Sequence, residues 1–202
     1  MKKPILIMAA VCVAAAFFGG CQSCNAEPAD KEKSGYDALN DLLALDYSGF
    51  KLTVTDTFDA ETSLKSEYVV EYSANGTTVN YSIERFAEIS LGTPISSAKV
   101  TLEGVAVIKD GVVVSVDGDD VNITADAAET GLNFKEEYFE NARLNGINFN
   151  ADVKNASGFL GTDITCTEMK VQAYFPKALD NIKITYKADG GNRVEYVYKF
   201  TL

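Results

Sequence analysis

The side chains suited to chemistry are a short acidic run, a group of glutamates, a tyrosine stripe and four cysteines. Asp117-Gly118-Asp119-Asp120 is the densest acidic cluster, and its carboxylates are the oxygen ligands that Ca²⁺ prefers. It lacks the Asp-x-Asp-x-Asp-Gly spacing and the distal Glu of a calcium loop, and a solvated turn between Val116 and Val121 explains it as well. Glu136, Glu137 and Glu140 could supply paired carboxylates for acid/base work, but spacing alone does not make two of them converge. The chain contains no histidine, which excludes Ser-His-Asp and Cys-His catalysis, histidine-ligated metals and histidine pH switching. The expectation is a protein that is not an enzyme and that uses no cofactor and no metal.

The cysteine with the most telling surroundings is Cys21. Lys2 and Lys3 form a positive start, Ile5 to Phe18 is an uncharged apolar run, and Gly19-Gly20 precedes Cys21. The apolar run is shorter than the roughly 20 residues that a spanning helix needs, and small residues before a cut site mark a secretory signal. Phe18-Gly19-Gly20-Cys21 resembles the lipobox of bacterial lipoproteins, departing from it at Phe18, where Leu is usual. The resemblance implies removal of residues 1–20 and a diacylglyceryl group on Cys21, holding the protein outside the cytoplasm at a membrane. Each buried acyl CH₂ contributes about 0.8 kcal/mol, so two or three chains anchor firmly where one does not. Gln22 after the cysteine, rather than Asp, resembles an outer-membrane or cell-surface destination, with the inner membrane left open. Cys24 is a poor lipid site because Cys21-Gln22-Ser23 is neither apolar nor small, and Cys12 leaves with the signal.

Losing residues 1–20, which hold two lysines and no acid, takes the net charge from −11 to −13. So acidic a chain repels phosphate backbones, and nucleic acid is excluded as a partner. The remaining length suits one domain able to bury about 70% of its unfolded surface. A Cys24–Cys166 disulfide is open outside the cytoplasm, with Cys166 as a small apolar strand residue the alternative.

Residues 21–34 are polar, without apolar periodicity, and read as a flexible tether. Tyr36, Leu39, Leu42 and Leu43 recur at helical spacing, predicting a helix to about Leu45 with Ser34 as its cap. From there strands dominate. Phe50, Leu52, Val54 and Phe58 alternate with Lys51, Thr53, Thr55 and Thr57. Asn75-Gly76 and Asp110-Gly111 each sit between alternating segments as hairpin signals. Both parities of 99–108 are apolar, which predicts a central strand covered on both faces. Phe134, Tyr138, Phe139, Ala142 and Leu144 suggest a second helix ended by Asn145-Gly146. Ile147 to Val153 alternates again, and 164–175 changes parity between Cys166 and Met169, which predicts a bulge. Ile182 to Tyr186 and Val194 to Leu202 flank Gly190-Gly191 as a last hairpin. The sequons at Asn75, Asn122 and Asn155 are chance occurrences beside a lipobox, and Asn75 is explained by its turn.

The expected fold is mainly β (α+β): a curved antiparallel sheet or half-barrel of about nine or ten strands with one or two covering helices, over residues 35–202. Tyr68, Tyr72, Tyr81, Tyr196 and Tyr198 are candidates to line a ligand groove on its face, although such a stripe also suits a core.

A lipobox, a polar tether, an amphipathic helix ending Leu42-Leu43-Ala44-Leu45, and Tyr47-Ser48-Gly49-Phe50-Lys51-Leu52-Thr53-Val54 leading into hairpins follow in order. This order resembles the LolA/LppX-type envelope lipoproteins. The resemblance implies a non-enzymatic carrier whose curved sheet binds a hydrophobic ligand, a lipid or an acyl chain. The alternative is a structural or protein-interaction lipoprotein, a closed β-sandwich or barrel with a full core that meets envelope proteins through its surface. A dry cavity of several hundred Å³ separates the two.

Overall fold

The alternation in the sequence becomes a sheet because each strand has one apolar face to bury. The structure is a computed structural model describing residues 35–59, 61–88 and 94–202. The proposed signal and tether, with Ser34, Cys21 and Cys24, lie outside the described residues. A helix α1 (Gly35–Leu43) leads into strands β1 (Gly49–Thr57), β2 (Ser63–Ser73), β3 (Gly76–Glu88), β4 (Pro94–Lys109) and β5 (Val112–Gly118). Then follow β6 (Phe139–Asn145), β7 (Asn148–Val153), a one-turn helix α2 (Ala156–Leu160), β8 (Cys166–Tyr174), β9 (Asn181–Ala188) and β10 (Arg193–Thr201).

All ten strands join one sheet, in the order β5-β4-β3-β2-β1-β10-β9-β8-β7-β6. Every pairing is antiparallel. The fold is thus two meanders zipped together at their first and last strands, where Gly49 pairs with Thr201 and Thr57 with Arg193. The sheet does not close, and β5 and β6 are its edges. The closed sandwich or barrel is therefore not the architecture.

Register explains the core. Gly104, Tyr81, Tyr68, Leu52, Tyr198, Ile182, Ala173 and Phe149 are successive cross-strand partners in a single row. Val79, Val70, Phe50 and Phe200 form the row beside it. These residues are buried or pack on the core, whereas the opposite face carries ion pairs such as Lys51–Glu67 and Lys183–Glu195. One face is dry and one is wet, the usual economy of an antiparallel sheet.

What covers the dry face is a crossover. Residues 119–138 run from the edge strand β5 to the opposite edge β6, burying Ile123, Ala128, Leu132 and Phe134. It contains two 3₁₀ turns, Ala125–Ala128 and Glu136–Tyr138. Phe134, Phe139, Phe149 and Phe159 form a cluster with ring centroids 5.1 to 5.7 Å apart, several of them edge to face. Such aromatic contacts add about 0.5–1.5 kcal/mol per pair beyond area burial.

The structure corrects the sequence expectation in three places. The second helix, 134–144, is instead the Glu136–Tyr138 turn followed by β6, which pairs with β7 from Phe139↔Val153 to Asn145↔Asn148. The aromatic spacing imitated a helical stripe, but Asn145 pairs with Asn148 and Gly146-Ile147 form the hairpin turn between them, with Gly146 at φ 58°. The real second helix is α2, which the sequence reading passed over. Asn155 caps it by accepting a hydrogen bond from the Gly158 N–H at 2.9 Å, and Gly161 ends it at φ 67°. The third correction is β4, which is next to the edge and has no covering layer outside. Its Val105 and Val107 are only half-buried on that side.

Other signals fall as expected. Asp110 and Gly111 both take positive φ, 51° and 72°, as a type I′ hairpin turn requires. The parity change in β8 is a bulge between Thr167 and Lys170, with Glu168 at φ 54°.

Candidate functional site

The dry face is left partly uncovered where α1 gives way to β1. After Leu43 the chain turns through Ala44-Leu45-Asp46, and Tyr47 then drops into the core. The Tyr47 hydroxyl donates to the Leu42 carbonyl at 2.8 Å and accepts from the buried Leu179 N–H at 3.0 Å. This pins the end of α1 to the loop before β9. Between that turn and the crossover at Glu129-Thr130 lies a half-open groove of about 350 Å³. This is at the small end of the range for ligand sites.

Four aromatic rings shape the groove: Tyr47, Phe50, Tyr72 and Phe200. Phe50 is buried and Tyr72 is exposed at the mouth. Ring centroids are 5.0 Å apart for Tyr47–Phe200, 6.3 Å for Phe50–Phe200 and 6.4 Å for Phe50–Tyr72. Asp46 and Glu129 are exposed at the rim from opposite sides of the chain fold, and among the described residues no basic side chain lines the groove. Burial, and next the charge of Glu129, push the Tyr72 hydroxyl above its ordinary pKa. Burial also raises Tyr47, opposed by the Leu179 N–H. The arrangement sets the exposed Tyr72 ring and the half-buried Phe200 beside exposed carboxylates.

Of the five tyrosines expected along a groove, Tyr72 is the one that lines this site. The others are occupied inside the fold. Tyr81 lies across Gly104 on the next strand, and its hydroxyl donates to the Asp119 carbonyl at 2.8 Å. Tyr72 and Tyr198 reach the Ala128 and Thr130 carbonyls at 2.9 and 3.5 Å. Three strand tyrosines thus give hydroxyls to the crossover, whose irregular backbone has carbonyls that no ladder satisfies. Tyr196 shares a 3.2 Å hydrogen bond with Tyr186, and burial followed by that bond raises the Tyr186 pKa far above its ordinary value. Tyr68 is half-buried within the row between them.

The acidic candidates are not brought together. Asp119 accepts the Glu103 N–H at 2.8 Å through Oδ2 and forms the turn that leaves β5, while Asp117 and Asp120 are exposed. Glu136 and Glu137 border a shallow open depression with Lys135 and Lys154, and Glu140 lies beyond it on β6. No group of three metal-ligating side chains occurs among the described residues. Cys166 is half-buried and has no disulfide partner among the described residues, with its pKa raised by burial and by the charge of Asp189, while Cys24 lies outside them.

Sequence reasoning missed Asp46, Phe50, Glu129 and Phe200 as a site. They come from a helix end, two central strands and the crossover, and no local spacing connects them. Comparison with protein-family models and with curated proteins finds no match.

Proposed function

We propose that the protein is a non-enzymatic bacterial envelope lipoprotein, held at a membrane by a diacylglyceryl Cys21 and binding a hydrophobic ligand against its open sheet. The supporting observation is the groove of about 350 Å³ between α1 and the crossover, whose reachable apolar surface comes from the half-buried Phe200 and the exposed Leu45 and Tyr72. An apolar chain laid there would cover ring surface that water now reaches, gaining about 25 cal/mol per Å² removed from water. In this reading the curved-sheet likeness to LolA/LppX-type proteins extends to use, with residues 21–34 as the tether and α1 as a partial cover. A lipid or acyl chain, entering by one end, is the ligand class that fits.

Native mass spectrometry of the full-length protein from host membranes and of a soluble Cys21→Ser form tests both halves. Diacylglycerol on Cys21 with residues 1–20 missing is expected of the first. The second is expected to carry an extractable lipid mass that is lost in Ala44→Trp, where an indole would fill the groove. A soluble form that stays bare when offered envelope lipids would sink the carrier reading. A second reading would then stand, in which the domain acts on envelope proteins through its surface. The phenylalanine cluster that fills the interior beneath the crossover favours it.

A further inference from the structure

The chemistry of the groove also selects a head group, an inference that rests on the ligand-binding reading above. Two carboxylates, Asp46 and Glu129, stand at the rim of a site walled by Tyr47, Phe50, Tyr72 and Phe200. Among the described residues neither carboxylate takes part in an ion pair, although other surface acids such as Glu67 and Glu195 do. Among the described residues no lysine or arginine lines the groove to neutralise them, and the chain as a whole carries −11. An anionic head would meet uncompensated negative charge here. A cation would meet carboxylates and ring faces together, and aromatic faces attract organic cations most strongly when water is excluded.

We propose that the groove binds an amphiphile of the alkylammonium class, its apolar chain along Leu45 and Phe200 and its cationic nitrogen between Asp46, Glu129 and the Tyr72 ring. A choline head group and a free amphipathic amine share this chemistry.

Calorimetric titration of the Cys21→Ser chain tests this with ten-carbon probes kept below their micellar concentrations. The probes are decyltrimethylammonium, decylphosphocholine, the neutral decyl maltoside and the anionic decyl sulfate. Decyltrimethylammonium is expected to bind about tenfold more tightly than the maltoside, the scale of one cation–π contact with a partly screened charge pair. Asp46→Asn with Glu129→Gln should erase that preference, so that decyltrimethylammonium and the maltoside bind alike; both residues are exposed, so their loss opens no core. Decylphosphocholine matching the ammonium probe would point to choline lipids; if it binds as weakly as the maltoside, a free amine is the source. Equal binding of cationic, neutral and anionic probes would overturn the head-group inference and leave the apolar groove. Failure of every probe to bind would overturn the groove reading itself.

Discussion

The Tyr47 hydroxyl is a small group on which two loops depend. It donates to Leu42 and accepts from Leu179, and the Leu179 N–H is buried. Tyr47→Phe keeps the ring against Phe200 but leaves that donor unsatisfied, which costs about 1–3 kcal/mol. Urea unfolding should show the midpoint falling by that free energy divided by the slope, with the slope itself unchanged. Glu67 poses a different residue-scale question. Hydrogen bonds from Lys65 and then Lys51, at 2.8 and 2.9 Å, hold its carboxyl down at about 2 against an ordinary 4.5. A carboxyl with a depressed folded pKa contributes stability that is present above the unfolded value and is lost as pH falls through the folded one. The three side chains are 30 to 53% exposed, so screening limits the contribution to less than about 1 kcal/mol. Glu67→Gln should therefore lower stability slightly at pH 7 and flatten the acid limb between pH 4.5 and 2, read from thermal melts across that window.

At the scale of elements, the crossover and α1 hold each other in place. Asn40 on α1 donates from Nδ2 to the Phe134 carbonyl at 2.7 Å and accepts the Phe134 N–H on Oδ1 at 2.9 Å. One amide side chain thus plays the part of a ladder partner for a residue that belongs to no strand. Asn40→Leu removes both bonds at a half-buried site and should destabilise by about 2–4 kcal/mol, each orphaned backbone group costing about 1–2. Faster amide exchange should be confined to α1 and residues near 134, whereas a uniform change across the sheet would show that the clamp is not local. These contacts mark the limit of what the sequence discloses. Strands were legible because a period of two and paired turn residues, as at Asp110-Gly111, are local properties. β6 was misread because Phe134 and Phe139 stack in the core with Tyr138 half-buried against it, all for tertiary reasons, and three rings at irregular spacing can imitate a helix. The groove was illegible for the same reason. Phe50 and Phe200 become neighbours through a pairing between residues 150 positions apart, which nothing near either of them records.

At the scale of the whole molecule, an open sheet has two edges, and this one guards them unequally. β6 carries Glu140 and Arg143, and Asn141 at φ 51° kinks it in a bulge. Charges and bulges are standard devices against edge-to-edge pairing. β5 also has a bulge, opposite Val107/Ile108, but from Val112 to Val116 it reads Val-Val-Val-Ser-Val without a charge. Val112, Val114 and Val116 are 60, 58 and 45% exposed. At neutral pH the net charge of −11 keeps copies apart by long-range repulsion, which substitutes for a local guard. That protection should fail as pH approaches the isoelectric point near 4.5, where the repulsion vanishes and the valine edge remains. Light scattering of the soluble chain should then rise steeply between pH 6 and 4.5, and added salt should raise it at neutral pH by screening. Val114→Lys places a charge in the middle of the edge and should suppress both effects. Asn122→Lys adds the same charge at an exposed position in the crossover and should leave scattering close to the parent. If the two lysine variants behave alike, net charge alone governs association and β5 is not the route. If Val114→Lys alone stays clear, the molecule relies on its charge to keep one open edge from its neighbours.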